Sequence, residues 1–225
     1  MDVLDAINKR QSTRGFKPDP VPVDILRKIT EGALRSPSTS NSQPWELAVV
    51  TGAKLEEIKE AYVASMTGLP VMDIPIPFKY PEPWAGRQKA VMAGVLEKLG
   101  ILREDKQRRA QFGLHGMRLW GAPAAIYVMI DRGFYQFDGT TNVWPVFDCG
   151  LITQDIMLLA TYYGLGSIPA IQPVLHPGII RNILGLPENK IMVIAIPVGY
   201  PDPDFGANRF RSSREPFEKT VNFYA

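Results

Sequence analysis

The chain has 225 residues, 45% hydrophobic and 21% charged, with 25 Lys and Arg against 23 Asp and Glu for a net charge of +2. That length buries a sizeable core, and the mixed composition excludes disorder and low complexity. The near-neutral balance excludes a broad polyanion-binding surface as the default, while a pI of 8.6 leaves room for a local basic pocket. Its one cysteine, Cys149, excludes an intrachain disulfide framework and fits a reducing compartment. The opening MDVLDAINKR is acidic and too poor in apolar residues for a signal peptide, and no apolar run reaches the ~18 residues that span a membrane. The expectation is a soluble, cytoplasmic protein with neither a membrane nor a nucleic-acid partner.

Val3, Leu4 and Ile7 have helical spacing, and a second helix is expected after Pro22 with Ile25, Leu26, Ile29 and Ala33 inward, stopping near Ser36-Pro37. A polar loop over 36–43 leads to a strand over 45–50 and a helix over 54–66. In 67–85, Pro70, Pro75, Pro77, Pro81 and Pro83 crowd Phe78, Tyr80 and Trp84, which reads as a surface excursion or a lid. Charged helices over 84–99 and 105–120 follow, so the whole excursion covers about 67–110. A buried strand is expected over 124–130, then a loop over 132–144.

The helix expected over 147–163 has few charges: Leu151, Ile152, Ile156, Met157, Leu158, Leu159 and Ala160 leave little polar face. A helix apolar nearly all round must be covered on every side, which in so small a chain favours a subunit interface. Another buried strand is expected over 191–198 and a short terminal one around Val221 and Phe223. No repeat or linker divides 1–225, so one domain of α and β layers is expected, without strict β-α-β order.

Arg10-Gln11-Ser12-Thr13-Arg14 follows the first helix. In an extended chain Arg10, Ser12 and Arg14 point the same way, and two forked guanidiniums around a hydroxyl make a cradle for phosphate. The alternative is a solvated helix end whose basic residues suit the dipole. Arg209, Arg211 and Arg214 form a second cluster, either a solvated tail or part of the same site. Together, in a chain without basic character, the clusters point to one phosphate rather than a polynucleotide. There is no Walker loop, and Gly164-Leu165-Gly166-Ser167 follows a helix, so it reads as a helix cap and tight turn rather than a dinucleotide fingerprint.

The loop Pro37-Ser38-Thr39-Ser40-Asn41-Ser42-Gln43-Pro44-Trp45 is dense in neutral donors and acceptors, suited to a heterocycle edge or to turn chemistry. His115 and His176 lack companions at metal-ligand spacing, so no metal is expected. Cys149, on the apolar helix, reads as packing. Ser12 and Ser38 have no base partner, leaving hydrolase chemistry without support.

These motifs resemble those of the flavin-dependent nitroreductase family. Arg10 to Arg14 resembles its R-x-S-x-R opening, and Ser38 to Trp45 its S-x-x-N-x-Q-P-W loop. Gly164-Leu165-Gly166-Ser167-Ile168-Pro169 is similar to its G-L-G segment, Val198-Gly199-Tyr200-Pro201 to its V-G-Y-P strand end, and Arg214-Glu215-Pro216-Phe217 to its closing R-x-P-Φ, where Φ is apolar. The matches keep the family's order and span nearly the whole chain.

The resemblance implies an α+β fold, a central mostly antiparallel sheet flanked by helices, in an obligate homodimer with a long buried interface helix and one FMN in each of two interface clefts. It assigns Arg10, Gln11, Ser12 and Arg14 to the flavin phosphate and ribityl chain, with Arg211 and Arg214 closing the phosphate site. It assigns Pro37, Ser38 and Asn41 to the isoalloxazine of the other subunit, and Pro169, Ala170, Ile171 and Gln172 to the stretch whose backbone N–H faces flavin N5. Ile171-Gln172 replaces the family's glutamate-glycine or threonines, leaving the N5 donor open.

The implied reaction is ping-pong, with no catalytic acid–base side chain. NADH or NADPH reduces the flavin, and an electron-poor acceptor, a nitroaromatic by analogy, then takes its place. Phe78, Tyr80, Trp84 and Arg87 are the candidate substrate contacts, or else packing under the excursion. Reductive dehalogenation, enoate reduction and flavin binding without turnover remain the other readings.

Overall fold

The structure, a computed structural model, describes residues 1–66, 68–77 and 79–224. Helices α1 (Val3–Lys9) and α2 (Val23–Ala33) precede strand β1 (Trp45–Thr51) and helix α3 (Gly52–Ser65). The excursion contributes α4 (Trp84–Lys98) and α5 (Lys106–Met117). Then come β2 (Ala124–Asp131), a one-turn α6 (Arg132–Tyr135), the hairpin β3 (Gln136–Phe137) and β4 (Thr140–Thr141), and the long α7 (Trp144–Tyr162). The chain continues through β5 (Gly166–Ser167), α8 (Pro177–Leu184), β6 (Lys190–Gly199) and a short α9 (Phe217–Thr220).

The main sheet has the order β1-β2-β6-β5, and every pair is antiparallel. Strand β2 is apolar over nearly its whole length because both faces are covered. Ala124, Ile126, Val128 and Ile130 face a core built with α2 and α7, while Ala125, Tyr127 and Met129 face a second core with α3 and α8. Between Val128 and Met129 the register with β6 slips, leaving Val193 as the extra residue of a bulge. Accordingly Val193 and Ile194 both pack toward the α7 core.

Helix α2 buries Leu26, Ile29 and Ala33 against α7, with Ile25 partly covered, as the spacing predicts. Helix α7 ends in a Schellman motif: Leu165 N–H donates to Ala160 O at 2.8 Å and Gly164 N–H to Thr161 O at 3.1 Å. Gly164, at φ 76°, takes the left-handed position that this stop requires.

Three expectations are corrected. The 132–144 stretch is not simply a loop but contains α6 and the hairpin, and α7 starts three residues before the expected 147. Among the described residues the terminal strand is absent: α9 ends at Thr220, residues 221–224 form no regular element, and Phe223 is exposed. The single chain leaves part of helix α7 uncovered, and nothing in this contradicts the expected interface helix. Ile152, Ile156 and Ala160 are fully buried, yet Trp144, Phe147 and Tyr162 are 57%, 57% and 53% exposed. No sequence expectation covered α8.

Candidate active site

Residues 10–17 form a strap laid along the sheet edge. Ser12 bridges Ser167 in parallel, Thr13 N–H donates to Ser167 O at 3.0 Å, and Lys17 N–H donates to Tyr200 O at 2.9 Å. A Cβ at Gly166 would collide with the Thr13 side chain, so the glycine permits this close approach. Beside the strap is a cavity of about 230 Å³ lined by Arg10, Gln11, Ser12, Arg14, Arg211 and Arg214, with Val91 and Phe210 as its apolar wall. Gly94 of α4 sets that wall, because a side chain there would enter the Phe210 ring.

Arg10 and Arg14 therefore meet Arg211 and Arg214, some 200 residues away in sequence, in one place, whereas Arg209 lies outside it and donates to Asp204 O at 3.2 Å. Burial, and next the guanidiniums of Arg214 and Arg211, pull Arg10 below the ordinary arginine value; burial does the same to Arg14. Among the described residues, none of the four cavity arginines pairs with a carboxylate. Four cations gathered without a counter-ion around a serine hydroxyl fit a phosphate monoester. Arg211 also donates to Asn8 O at 2.8 Å and Arg214 to the Ser212 hydroxyl at 2.9 Å, so both are partly oriented.

Sequence reasoning missed the residues that hold this strap. Buried Asn208 accepts from Arg14 N–H at 2.7 Å and donates to Gly15 O and Asp202 O, both at 2.8 Å. Its carbonyl accepts from Gln11 Nε2 at 3.0 Å, so Gln11 ties the strap down. His115 of α5 bonds through Nε2 to Arg14 O at 3.0 Å and packs on Phe205 at 5.0 Å between ring centroids. Only the Asn within NRFR hinted at such a role, and no local signal marks His115.

Pro37, Ser38 and Asn41 do not line the arginine cavity; their loop lies on α7. Ser36 donates its hydroxyl to Asp155, and Asp148 receives Thr39 N–H at 3.1 Å and the Thr39 hydroxyl at 3.2 Å. Asn41 is exposed. In the 169–172 stretch, Ala170 N–H is committed to Ala195 O at 2.8 Å. Among the described residues, Ile171 and Gln172 N–H have no backbone acceptor, which narrows the choice of donor.

The excursion is anchored rather than loose near its start. Asp73, 6% exposed at its side chain, pairs with Arg181 at 2.7 Å and Arg132 at 3.1 Å, and accepts from Met192 N–H at 3.0 Å. Met72, Ile74 and Ile76 thereby cover an apolar cavity of about 250 Å³ shared with Ile171 and Cys149. Arg87 pairs with Glu215 at 3.1 Å in a groove of about 1140 Å³ that joins the arginine cavity through Val91, Phe210, Arg211 and Arg214. Tyr80 and Trp84 are 39% and 55% exposed outside that groove, and Phe78 lies outside the described residues.

Cys149 is fully buried, and burial, with the charge of Asp148 second, pushes its thiol up to about 12. It is no nucleophile. Among the described residues no group of three or more His, Cys, Asp or Glu could hold a metal, and no helix is long and apolar enough to cross a membrane.

The nitroreductase family model matches residues 7–200. Chloronitrobenzene nitroreductase of Comamonas testosteroni is 30% identical over 225 residues, spanning 97% of this chain and 95% of that protein. The crystal structure of FMN- and NADPH-dependent nitroreductase NfnB from sphigopyxis sp. strain HMH aligns with a TM-score of 0.92 at 27% identity, over 100% of both chains. FMN-dependent nitroreductase NfnB from Mycobacterium smegmatis, solved with NADPH, aligns at 0.90 with 26% identity, again over 100% of both. The chain belongs to the nitroreductase family.

Proposed function

We propose that this protein is an FMN-dependent oxidoreductase that uses NADH or NADPH to reduce nitroaromatic or related electron-poor compounds. The observation that carries the reading is the convergence of Arg10, Arg14, Arg211 and Arg214 on one cavity without a carboxylate among the described residues. Arg10, Ser12, Arg14, Arg211 and Arg214 hold the phosphate, while Gln11 and Asn208 fix the strap that carries them. When bound, FMN would supply the redox chemistry, hydride transfer from NAD(P)H to the acceptor. The N–H groups of Ile171 and Gln172, which have no backbone acceptor among the described residues, are the donors assigned to flavin N5, where they would stabilise negative charge. Pro169 and Ala170 shape the backbone beneath.

The active form is a homodimer joined over the exposed face of α7 at Trp144, Phe147 and Tyr162. Pro37, Ser38 and Asn41 of one copy then complete the site of the other. Each copy is a single FMN-binding unit over 1–225, with Tyr80, Trp84 and Arg87 of the excursion toward the acceptor. A cytoplasmic setting suits its lone, unpaired thiol. The test is FMN uptake followed by steady-state kinetics with NAD(P)H and 4-nitrobenzoate or nitrobenzene. Parallel double-reciprocal lines support one shared face used in turn. Tight FMN with no oxidation of NAD(P)H assigns the chain to flavin binding alone.

A further inference from the structure

The 38–43 loop is an unusual piece of backbone. Ser40, Asn41 and Gln43 have φ of 51°, 55° and 46°, left-handed values that non-glycine residues adopt at a cost. Such a run persists only where its surroundings over-determine it. Internal bonds supply part of this: Asn41 N–H donates to Ser38 O at 3.0 Å and Gln43 N–H to the Ser38 hydroxyl at 2.9 Å. The remainder comes from one side chain of α7.

Asp148 is 1% exposed and enters no ion pair among the described residues. Its carboxylate spans Thr39 N–H at 3.1 and 3.2 Å, the Thr39 hydroxyl at 3.2 Å and the Ser42 hydroxyl at 3.5 Å. A buried carboxylate without a cation needs every donor it can gather. Here the donors come from Thr39 and Ser42 of this one exposed loop, while the exposed tip, Ser40 and Asn41, makes no bond to Asp148. Asp155, two turns further along α7, takes the Ser36 hydroxyl and fixes the loop's entry. The helix whose apolar face is open thus carries the loop as a rigid attachment.

We propose that Asp148 is a positioning residue for the reaction. By clamping Thr39 and Ser42 it holds the strained loop so that Ser38 and Asn41 meet the flavin and acceptor in the second copy's site. This rests on the functional reading above, in which that loop faces an isoalloxazine. Asp148 touches no reactant; it acts through Thr39. Asp148→Asn keeps the size but turns one acceptor oxygen into a donor that faces other donors.

The experiment uses FMN-saturated full-length native protein, Asp148→Asn, Thr39→Val and the double variant. Visible circular dichroism of the bound flavin is recorded with KM and kcat for 4-nitrobenzoate. Each single variant is expected to change the flavin spectrum and raise the acceptor KM about tenfold, with kcat changed less than threefold. The double variant is expected to be no worse than the worse single, because the hydroxyl bond that Thr39→Val removes is one that Asp148→Asn already disturbs. Thr39 is exposed, so Thr39→Val carries the test if Asp148→Asn fails to fold. A native flavin spectrum and an acceptor KM within twofold of native in the soluble variants overturn the proposal alone. Native protein that takes up no FMN overturns the functional reading, and this proposal with it.

Discussion

The side-chain oxygen of Asn208 accepts the backbone N–H of Arg14 at 2.7 Å, joining positions 194 residues apart. The same amide donates to Gly15 O and Asp202 O, so its three side-chain bonds seat the strap against the chain's last third. Asn208→Ala leaves buried polar groups unpaired, an expected loss of about 1–3 kcal/mol of stability. Binding of FMN should weaken about tenfold, roughly 1.4 kcal/mol, with every cavity arginine still present. Unchanged FMN titration in Asn208→Ala would separate strap position from phosphate binding.

The arginine cluster should show opposite effects on affinity and stability. Arg14→Ala and Arg214→Ala each remove a charge-assisted bond, roughly 1.5–3 kcal/mol, or about tenfold to hundredfold in FMN affinity. Arg10→Met removes a cation held below its ordinary value by burial and then by Arg214 and Arg211. It should weaken FMN binding yet raise the apo-protein's Tm. Millimolar inorganic phosphate should raise the native apo Tm and have less effect on Arg10→Met, measured by calorimetry. A destabilised Arg10→Met apo-protein would show that the cations are not in mutual conflict.

His115 gives the fold an acid sensitivity whose sign follows from its surroundings. Burial pulls its imidazole below the ordinary 6.5, opposed in part by the bond to Arg14 O. As pH falls through 6.5, the unfolded chain therefore takes up a proton that the folded chain still refuses. Its contribution to stability is present at higher pH and lost below that value, until the folded imidazole also titrates. The native Tm should fall more steeply between about pH 7 and pH 5 than that of His115→Gln, which can still donate to Arg14 O. Equal slopes would assign the acid loss to other groups.

The open face of α7 predicts self-association. Phe147 is 57% exposed in the single chain, so Phe147→Glu should leave the subunit folded and reduce the sedimenting mass from dimer to monomer. Leu158 is half-buried rather than enclosed, so a charge there is better tolerated by the subunit than the sequence pattern implies. A native protein that sediments as a monomer at micromolar concentration with FMN bound would contradict the shared site.

What the sequence made legible was local. The strap's alternating Arg10, Ser12 and Arg14, the stop at Gly164 and the β2 run each declare themselves within a few residues. The loop motif was visible as chemistry, but the carboxylate that holds it was not, since Thr39 and Asp148 are 109 residues apart. Asp73 escaped notice for the same reason, with Arg181 108 residues away. Val221 and Phe223 alternate as a strand would, yet alternation is no strand without an edge to pair with. Helix α7 looked apolar all round because composition does not separate a face buried by its own chain from one left for another.

The central claim, that a flavin held by the arginine cavity passes electrons from NAD(P)H to a nitro compound, is tested most directly by anaerobic stopped flow on the FMN-loaded protein. The flavin should bleach on mixing with NADH or NADPH, and its visible absorbance should return on mixing the reduced protein with 4-nitrobenzoate or nitrobenzene. Arg14→Ala should retain less flavin under the same conditions. Flavin that bleaches but persists reduced with every nitro compound, while a halogenated or enoate acceptor reoxidises it, would contradict the claim.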